Sequence, residues 1–485
     1  TTTTTTTTTT SLKFEYLAAN VDGPVACARH QIESLLQQTA AYSQEDEDAL
    51  DDGFFICDLN VVYRKLLAWR KLFPRIKPFF AVKCNPDPMV TAVLGSTTAT
   101  ATMTGDEEEE EAAVSATGFD CASIPEIELA LQTCSSLISR PRKLIMYANP
   151  QRAEKDLETA LEAYQVNTLT FDGPEELYKI HRTYQQVRQR RRPQEQNDND
   201  DDEDEDDDNS PKLVLRLLVP DEHSSVPLGE KFGVVPDQVS TLALVACELQ
   251  LPIIGVSFHC GSGNHDPASY TQAIILAKTA MQDINQIQIP HGLSPCWLLD
   301  IGGGYPGADG VGASNGRFCG KEEALALLNE SSSSSSSSLS HQETASNIAK
   351  AVTPLIDDLF PLVVNEGGHA QQQQVSVISE PGRYFVEEAF CLCSRIFRVR
   401  LDFDKEHAES VVIHRHYYIA QGVQGVFKDC VLCDETFIPI PLVMTIKDDD
   451  NAEDDAQPKI TNSPTLISST VHGPSGEEYD VICAN

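Results

Sequence analysis

The sequence predicts a (β/α)8 barrel followed by an all-β domain. Short apolar runs such as FFAVKC, KLIMYAN and TLTFDG recur between residues 54 and 384, and amphipathic segments such as 124–132 and 153–164 follow them. Near-continuous apolar strands that alternate with helices are typical of a parallel sheet covered on both faces. After residue 384, strand-like runs follow one another without helices, so residues 385–485 are predicted to form a separate β domain.

Polar residues at the ends of the predicted strands favour a closed barrel over an open sheet. In a parallel barrel, the carboxyl ends of all strands converge on one mouth, where active sites lie. The residues at these ends are Lys83, Asp120, Asn149, Asp172, His259, Asp300 and Glu380. A lysine among carboxylates and a histidine therefore predicts an active site at this mouth.

Low-complexity segments interrupt the barrel pattern. They comprise a threonine tract at 1–10 and insertions near 96–113, 185–209 and 310–345. They hold too few apolar residues to repay the entropy of ordering, so we predict surface insertions. Residues 11–53 are expected to pack with the β domain.

Composition and charge narrow the class of protein. The 485 residues carry a net charge of −37, but three acidic runs hold 22 of the 73 acidic residues, which leaves 36 basic against 51 acidic residues. A moderately acidic folded part disfavours nucleic acid and anionic membranes as partners. No apolar run approaches the ~20 residues that span a bilayer, so we expect a cytoplasmic protein. The 14 cysteines are scattered, and Cys430 and Cys433 lack a second pair, so no metal site is predicted.

Lys83 poses the sharpest question, because it follows an apolar strand directly and precedes the turn at Asn85 and Pro86. An ammonium group at the end of a buried strand needs a partner or a covalent role. Taken alone, it is better explained by a lysine that extends past the strand to solvent, and the other motifs are needed to assign it a role.

Two glycine-rich turns complete the pattern. Gly302, Gly303 and Gly304 allow backbone N–H groups to approach an anion, and Gly261-Ser262-Gly263 adds a hydroxyl. Arg383, three residues after Glu380, makes a phosphate site more probable than two plain turns. A lysine, a phosphate site and a buried carboxylate together suit pyridoxal phosphate. His259 would stack on its ring, although an isolated histidine at this place is more often part of the core.

The motifs PFFAVKCN, GFDCAS, MYANP, EKFG, GVSFHCGSG, LLDIGGGYPG and SEPGRYF resemble the eukaryotic ornithine decarboxylase family. This family belongs to the alanine-racemase-like barrel class of enzymes that use pyridoxal phosphate. The resemblance runs from about residue 54 to 427 between the insertions and resumes at 472–480. It implies that Lys83 binds the cofactor as a Schiff base, that Glu380 binds its pyridine nitrogen and that His259 stacks on its ring. It assigns the phosphate to Ser262, Gly302, Gly303, Gly304 and Arg383, and places Asp120 and Glu126 near the lysine.

The resemblance also implies an activity and partners. In the family, ornithine is decarboxylated to putrescine, the first step of polyamine synthesis. A head-to-tail homodimer is implied, in which the C-terminal domain of the partner completes each active site. Lys231 and Asp480 match a pair that crosses this interface. An antizyme-type regulator is a further candidate partner.

Departures from the family pattern fall on the substrate side. Gln421 and Glu477 stand where the family has two aspartates that bind the distal amine of ornithine, and Gly476 stands where it has a catalytic cysteine. We expect Gln421 and Glu477 to bind substrate and Glu477 to take part in catalysis. The sequence ends at Asn485, before the closing segments of the family, so the β domain is expected to be incomplete.

Three functions stay open at this point. A decarboxylase of ornithine, or of arginine or lysine, is ranked first. A catalytically impaired regulator like antizyme inhibitor is ranked lower, because every cofactor residue up to Arg383 is kept. Diaminopimelate decarboxylase shares the barrel and EPGR but is disfavoured by FDCAS.

Overall fold

The computed structural model describes 53–96, 117–134, 141–195, 210–307, 338–362, 374–404, 412–432, 437, 439, 467–475 and 477–484. The threonine tract, nearly all of 11–53, most of the three insertions and Gly476 lie outside these residues. The chain divides into two compact units. One spans 58–389 with 429–437, and the other combines residues up to 57 with 390–428 and 438–485.

The larger unit is the predicted (β/α)8 barrel, and eight parallel strands close it. They are β2 (Ile76–Ala81), β3 (Gly118–Cys121), β4 (Ile145–Tyr147), β5 (Thr168–Phe171), β6 (Lys212–Arg216), β8 (Ile253–Ser257), β10 (Leu298–Asp300) and β11 (Ser376–Ser379). Around the barrel, β2 to β6 are neighbours in sequence order, β8 and β10 follow, and β11 closes onto β2. The short GFDC segment supplies one of the eight strands, in agreement with the prediction that Asp120 lies at a strand end.

Helices follow these strands on the outside of the barrel. They are α1 (Leu59–Leu72), α2 (Pro88–Gly95), α3 (Ile124–Cys134), α4 (Glu154–Glu162), α5 (Pro174–Glu195), α6 (Val239–Glu248), α7 (Pro267–Gln288), α8 (Ser338–Leu359) and α9 (Arg383–Val386). Asp87 and Asp266 cap α2 and α7 by accepting hydrogen bonds from backbone N–H groups of the first turn. Across the described ranges, no helix is long and apolar enough to cross a membrane.

Two predicted insertions begin or end differently from the prediction. Residues 185–195 of the 185–209 insertion continue α5, and 338–345 of the 310–345 insertion belong to α8. The reason for the first is visible at the end of α4. Arg191 donates to the carbonyl oxygens of Leu161 and Glu162, and Arg190 pairs with Glu158 and Glu162. Basic side chains that bind the last carbonyls of a neighbouring helix support α5 well past its apolar residues.

The smaller unit is the predicted all-β domain, but its boundary differs. Strand β1 (Phe54–Cys57) pairs antiparallel with β12 (Phe390–Cys393), so residue 54 begins a strand of this unit and not the barrel. The barrel unit likewise runs to Ala389 because 383–386 form helix α9. A second sheet contains β13 (Ile396–Phe403), β14 (Val412–Ile419), β15 (Ser468–His472) and β16 (Val481–Ala484), of which β14 and β15 are parallel.

The barrel interior is closed by an apolar layer. Met146, Val214, Ile254, Leu298 and Ile378 point inward from five strands and are buried. Inward-facing residues of this kind fill the interior of a small barrel and form a packed core. The strand ends above it are therefore the place for a site.

Candidate active site

Lys83 lies at the mouth of the barrel, in a single 3-10 turn (Val82–Cys84) that ends β2. Its Nζ is 2.8 Å from Oδ2 of Asp120, the penultimate residue of the neighbouring strand β3. Asp120 is fully buried, whereas the Lys83 side chain is 44% exposed. Desolvation would lower the pKa of Lys83, but the charges of Asp120 and Glu380 and the hydrogen bond to Asp120 outweigh it and raise the pKa. The lysine is thus held as an ammonium ion at an accessible place.

Glu126 has a local role in this structure. Its carboxylate accepts hydrogen bonds from the Ala122 N–H (2.9 Å) and the Ser123 hydroxyl (2.8 Å). These two groups precede α3, so Glu126 supports the first turn of the helix that follows Asp120. It therefore supports the position of Asp120 through the backbone.

The glycine turn after β10 allows close approach. Gly302 and Gly304 have φ of +65° and +100°, a region that side chains disfavour. A Cβ at Gly303 would lie 2.6 Å from the Glu380 carbonyl oxygen and 3.0 Å from His259 Nε2. A Cβ at Gly304 would collide with the Gly261 carbonyl oxygen. Only glycine lets the two predicted phosphate loops lie against each other here.

His259 follows β8 and is held as a neutral ring. Its Nδ1 accepts a hydrogen bond from the Gly261 N–H at 3.0 Å, which assigns the proton to Nε2. Burial, and then the nearby charges of Lys83 and Arg216, hold the pKa of His259 well below its ordinary value. A neutral ring is suited to stacking and does not compete for an anion.

Ser262 and Arg383 come together from opposite parts of the barrel sequence. Ser262 begins the short strand β9 (Ser262–Asn264), and Arg383 begins α9. A guanidinium nitrogen of Arg383 lies 3.4 Å from the Ser262 hydroxyl. A cation and a hydroxyl at the rim of glycine turns form a donor set that suits a phosphate group.

Glu380 and Asp300 are buried acids at the ends of neighbouring strands β11 and β10. Burial, together with the charges of Asp120 and Asp300, raises the pKa of Glu380 well above its ordinary value. Burial also raises the pKa of Asp300 to about 7, against the effect of a hydrogen bond from the Gly302 N–H. A buried carboxyl group that keeps its proton can donate a hydrogen bond to a basic ring nitrogen.

Arg216 was missed by the sequence analysis. The barrel register places Arg216 beside Ser257, and Ser257 beside Asp300, so these three residues lie at one level. The Arg216 charge opposes protonation of Lys83 and His259 and favours ionisation of Asp300. Its guanidinium lies 5.2 Å from the centre of the Phe232 ring. Its position at the last residue of the KLVLR strand was the available signal, but the apolar residues that follow hid this strand end.

Four residues were predicted for the substrate site and the dimer interface, and three of them belong to the β unit. Gln421 is buried in the β unit, and its amide oxygen accepts a hydrogen bond from Ser394. Glu477 is exposed in the same unit. Asp480 is buried there and accepts hydrogen bonds from the Val423 and Ser475 N–H groups, each at 2.9 Å. Lys231 is exposed in the barrel unit. The roles of these four residues in substrate binding and dimerisation stay predictions.

The residues present at the barrel mouth fit pyridoxal phosphate. The cradle of Gly303 and Gly304 would be filled by any Cβ, and one carboxylate oxygen each of Asp120 and Asp300 is buried without a donor among the described side chains. Lys83 would hold the aldehyde carbon, Glu380 the ring nitrogen, and Arg383 with Ser262 the phosphate. Within the described part of the chain, no group of three or more metal-binding residues is arranged to hold an ion.

Comparison with known proteins identifies the family of this chain. The family model for the pyridoxal-dependent decarboxylase, pyridoxal binding domain, matches residues 59–387. The chain therefore belongs to the pyridoxal-dependent decarboxylase family, whose members are lyases. The ornithine decarboxylase of Schizosaccharomyces pombe is 31% identical over 80% of this chain and 65% of its own length. The antizyme inhibitor 2 of Xenopus laevis is 30% identical over 86% of this chain and 70% of its own length.

Solved structures show the same fold. The arginine decarboxylase of Paramecium bursaria Chlorella virus is 22% identical, with a TM-score of 0.61, over 94% of this chain and 89% of its own. The lysine/ornithine decarboxylase of Vibrio vulnificus, complexed with cadaverine, is 21% identical, with a TM-score of 0.58, over 94% of this chain and 87% of its own. These similarities confirm the predicted barrel and β domain.

Proposed function

We propose that the protein decarboxylates a basic amino acid with pyridoxal phosphate, and that its substrate is L-ornithine, which yields putrescine for polyamine synthesis. The observation that carries this proposal is the Lys83–Asp120 pair opposite Glu380 and the glycine cradle. We further propose a cytoplasmic homodimer, in which Gln421 and Glu477 contribute to the substrate site. The similarity to ornithine decarboxylases at about 30% identity supports the choice of substrate class.

The residues at the mouth have separate tasks in this reaction. Bound pyridoxal phosphate supplies the electron sink next to the substrate α-carbon. The Lys83 ammonium must lose a proton before its Nζ can act as a nucleophile, and Asp120 Oδ2 at 2.8 Å is within reach to accept it. Asp120 also holds Nζ in place at the barrel mouth.

Glu380 and His259 control charge around the cofactor ring. Glu380 holds a proton where a ring nitrogen needs one, so it supports the chemical step more than cofactor retention. His259 Nε2 faces Gly303, and its neutral ring presents an apolar face. Arg383 and the Ser262 hydroxyl hold the phosphate and thereby orient the ring.

A regulator like antizyme inhibitor is the second candidate, because the Xenopus laevis antizyme inhibitor 2 covers most of this chain. Such a protein would bind an antizyme-type partner without releasing carbon dioxide. The complete set of cofactor residues at the barrel mouth favours the enzyme.

The test is to add pyridoxal phosphate to the purified protein, record the visible spectrum and assay carbon dioxide release from ornithine, lysine, arginine and diaminopimelate. We expect a shifted cofactor absorbance and the fastest release from ornithine. A protein that neither shifts the absorbance nor releases carbon dioxide would contradict the proposal and favour the regulator. Release from arginine or lysine alone would keep the reaction and change the substrate.

A further inference from the structure

Asp300 and Glu380 are two buried acids joined through one peptide group. Oδ1 of Asp300 accepts a hydrogen bond from the Gly302 N–H at 2.9 Å. The carbonyl oxygen of the same Gly302 accepts a hydrogen bond from the Glu380 N–H at 2.7 Å. The Asp300 side chain is therefore fixed relative to the start of the Glu380 residue. The sequence analysis noted Asp300 as a strand end without giving it a role.

The other oxygen of Asp300 needs a proton from its neighbour. Oδ2 is buried, and no donor reaches it among the described residues when both acids are ionised. The Gly302 peptide group holds the two residues together, and burial, followed by the charges of Asp120 and Asp300, raises the pKa of the Glu380 carboxyl group. Two carboxylates offer only acceptors, so this arrangement is favourable only when one of them carries a proton.

The surrounding charges point the same way. Three acids and two bases meet at this end of the barrel, and the mutual repulsion of the acids is reduced if one acid is neutral. The groups outside the pair whose charges act on it are Asp120, Lys83 and Arg216. Lys83 is already paired with Asp120 at 2.8 Å, so it compensates that acid first. With one proton on the pair, the charges of the cluster balance.

We propose that Asp300 is a positioning residue for Glu380: the two carboxyl groups share one proton in the cofactor-free protein, and Glu380 keeps that proton available for a basic ring nitrogen. The role of Glu380 toward a ring nitrogen rests on the proposed function, whereas the shared proton is a property of the cofactor-free protein. When the proton is used, the O–H bond on Glu380 breaks and an N–H bond forms. Asp300 and Glu380 would then both be carboxylates, and the protonated ring nitrogen of bound cofactor would supply the compensating positive charge.

Infrared spectroscopy of the cofactor-free protein tests the shared proton directly. With glutamate labelled by carbon-13 at the side-chain carboxyl, a protonated Glu380 adds a carbonyl band that Glu380→Gln lacks. We expect this band in the wild-type protein near neutral pH. In Asp300→Asn it should disappear at neutral pH, because the amide keeps the Gly302 hydrogen bond through its oxygen and donates to an ionised Glu380.

Ser379→Ala is the matched control. The Ser379 hydroxyl donates to the same Gly302 carbonyl oxygen at 2.7 Å, so this variant weakens the turn without changing its charge. It should keep the band. A wild-type protein without the band, or an Asp300→Asn protein that keeps it, would overturn the proposal. Asp300→Ser serves in the same way if the asparagine variant does not fold.

Calorimetry tests whether Glu380 supplies its proton when pyridoxal phosphate binds. Pyridoxal phosphate is titrated into each protein in buffers of different ionisation enthalpy, and the number of protons taken up is derived from the slope. Asp300→Asn should take up about one proton per site more than the wild type, because it has no stored proton to supply. Equal proton uptake by the wild type and Asp300→Asn would show that Glu380 does not supply the proton. A wild-type protein that binds no pyridoxal phosphate would refute the proposed function, while the infrared result would still decide whether the proton is shared.

Discussion

Lys83 is the residue on which the proposed chemistry depends. It is exposed enough to be reached, and the buried Asp120 holds its Nζ at 2.8 Å. A flexible lysine with these properties forms a Schiff base readily once it is deprotonated. The carboxylate thus serves both to fix the lysine and to take its proton.

We predict that Lys83→Ala abolishes the cofactor absorbance shift and reduces activity by at least about a thousandfold, because no other amine replaces a covalent anchor. Borohydride reduction of the wild-type holoenzyme, followed by peptide mapping, should label Lys83. Lys77→Ala, on the preceding strand β2, is the control and should retain the shift. Label on a different lysine would show that the assignment is wrong.

Gln421 is expected to affect substrate specificity, because its neutral amide occupies a position where the ornithine decarboxylase family, which this sequence resembles, has an aspartate. A missing charge-assisted hydrogen bond costs about 1.5–3 kcal/mol, which corresponds to about a tenfold to hundredfold weaker binding of the ornithine ammonium group. A guanidinium has several donors and tolerates an amide better.

We predict that Gln421→Asp raises kcat/KM for ornithine by about tenfold or more relative to arginine. The measurement is kcat/KM for ornithine, lysine and arginine in the wild type, in Gln421→Asp and in Gln421→Asp with Gly476→Cys. Ser394→Ala is the control, because it removes the hydrogen bond to the Gln421 oxygen without adding charge. An unchanged preference in Gln421→Asp would place the distal pocket elsewhere.

Helix α5 is the element that most changes the interpretation of the sequence. Its last turns, within the segment assigned to an insertion, are anchored to α4 through Arg190 and Arg191. The acidic residues beyond position 195 have the composition of a segment that self-repels and packs on nothing. Helix-to-strand connections lie at the barrel face opposite the mouth, so we predict that this segment can be changed without affecting the site.

We predict that deletion of 196–209, bridged by a short Gly-Ser linker, leaves the activity and the free energy of unfolding nearly unchanged. Deletion of 185–209 should lower the free energy of unfolding by about 1–3 kcal/mol, because it removes the anchoring arginines. Urea denaturation of both variants measures the difference. Equal stability of the two deletions would show that the anchors contribute nothing.

A buried ion pair holds α5 at its other end. Arg152 Nε lies 3.0 Å from Glu176 Oε1, and both side chains are almost completely buried. Arg152 also donates to the Thr170 carbonyl oxygen, and Lys179 pairs with Glu176. Burial lowers the pKa of Arg152, which the Glu176 charge partly opposes.

We expect Glu176→Gln to lower the free energy of unfolding by about 3–5 kcal/mol, because it leaves the arginine charge buried without its acid. The double variant Arg152→Met with Glu176→Leu should recover most of this loss, since apolar residues need no partner. Arg182→Gln, which breaks an exposed pair with Glu154, is the control and should cost less than about 1 kcal/mol. A double variant as unstable as the single one would contradict this account.

At the scale of the whole molecule, Lys231 and Asp480 are the residues predicted to pair between two chains. Asp480 also stabilises its own chain, because its two carboxylate oxygens accept hydrogen bonds from the N–H groups of Val423 and Ser475. Replacing Asp480 is therefore expected to have effects that replacing Lys231 does not have.

We predict that the protein sediments as a dimer and that Lys231→Ala raises the dimer dissociation constant by less than about tenfold, because Lys231 is exposed and an ion pair screened by solvent contributes about 0–1 kcal/mol. Asp480→Ala should in addition lower the melting temperature, because two backbone N–H groups lose their acceptor. Sedimentation velocity and thermal denaturation separate the two effects. A monomeric wild type at micromolar concentration would refute the shared active site.

The sequence by itself determined the fold class, because apolar strands that alternate with helices admit few topologies, and strand ends in a parallel barrel must meet at one mouth. Lys83, Asp120, His259 and Glu380 could be assigned to this mouth for that reason. The tertiary structure alone decided how Arg216 and Asp300 join them. Barrel closure aligns β6, β8 and β10 so that Arg216, Ser257 and Asp300 lie at one level, although more than 80 positions separate the two charged residues in the sequence. Strand register is set by packing and hydrogen bonding between distant segments, and no local pattern encodes it.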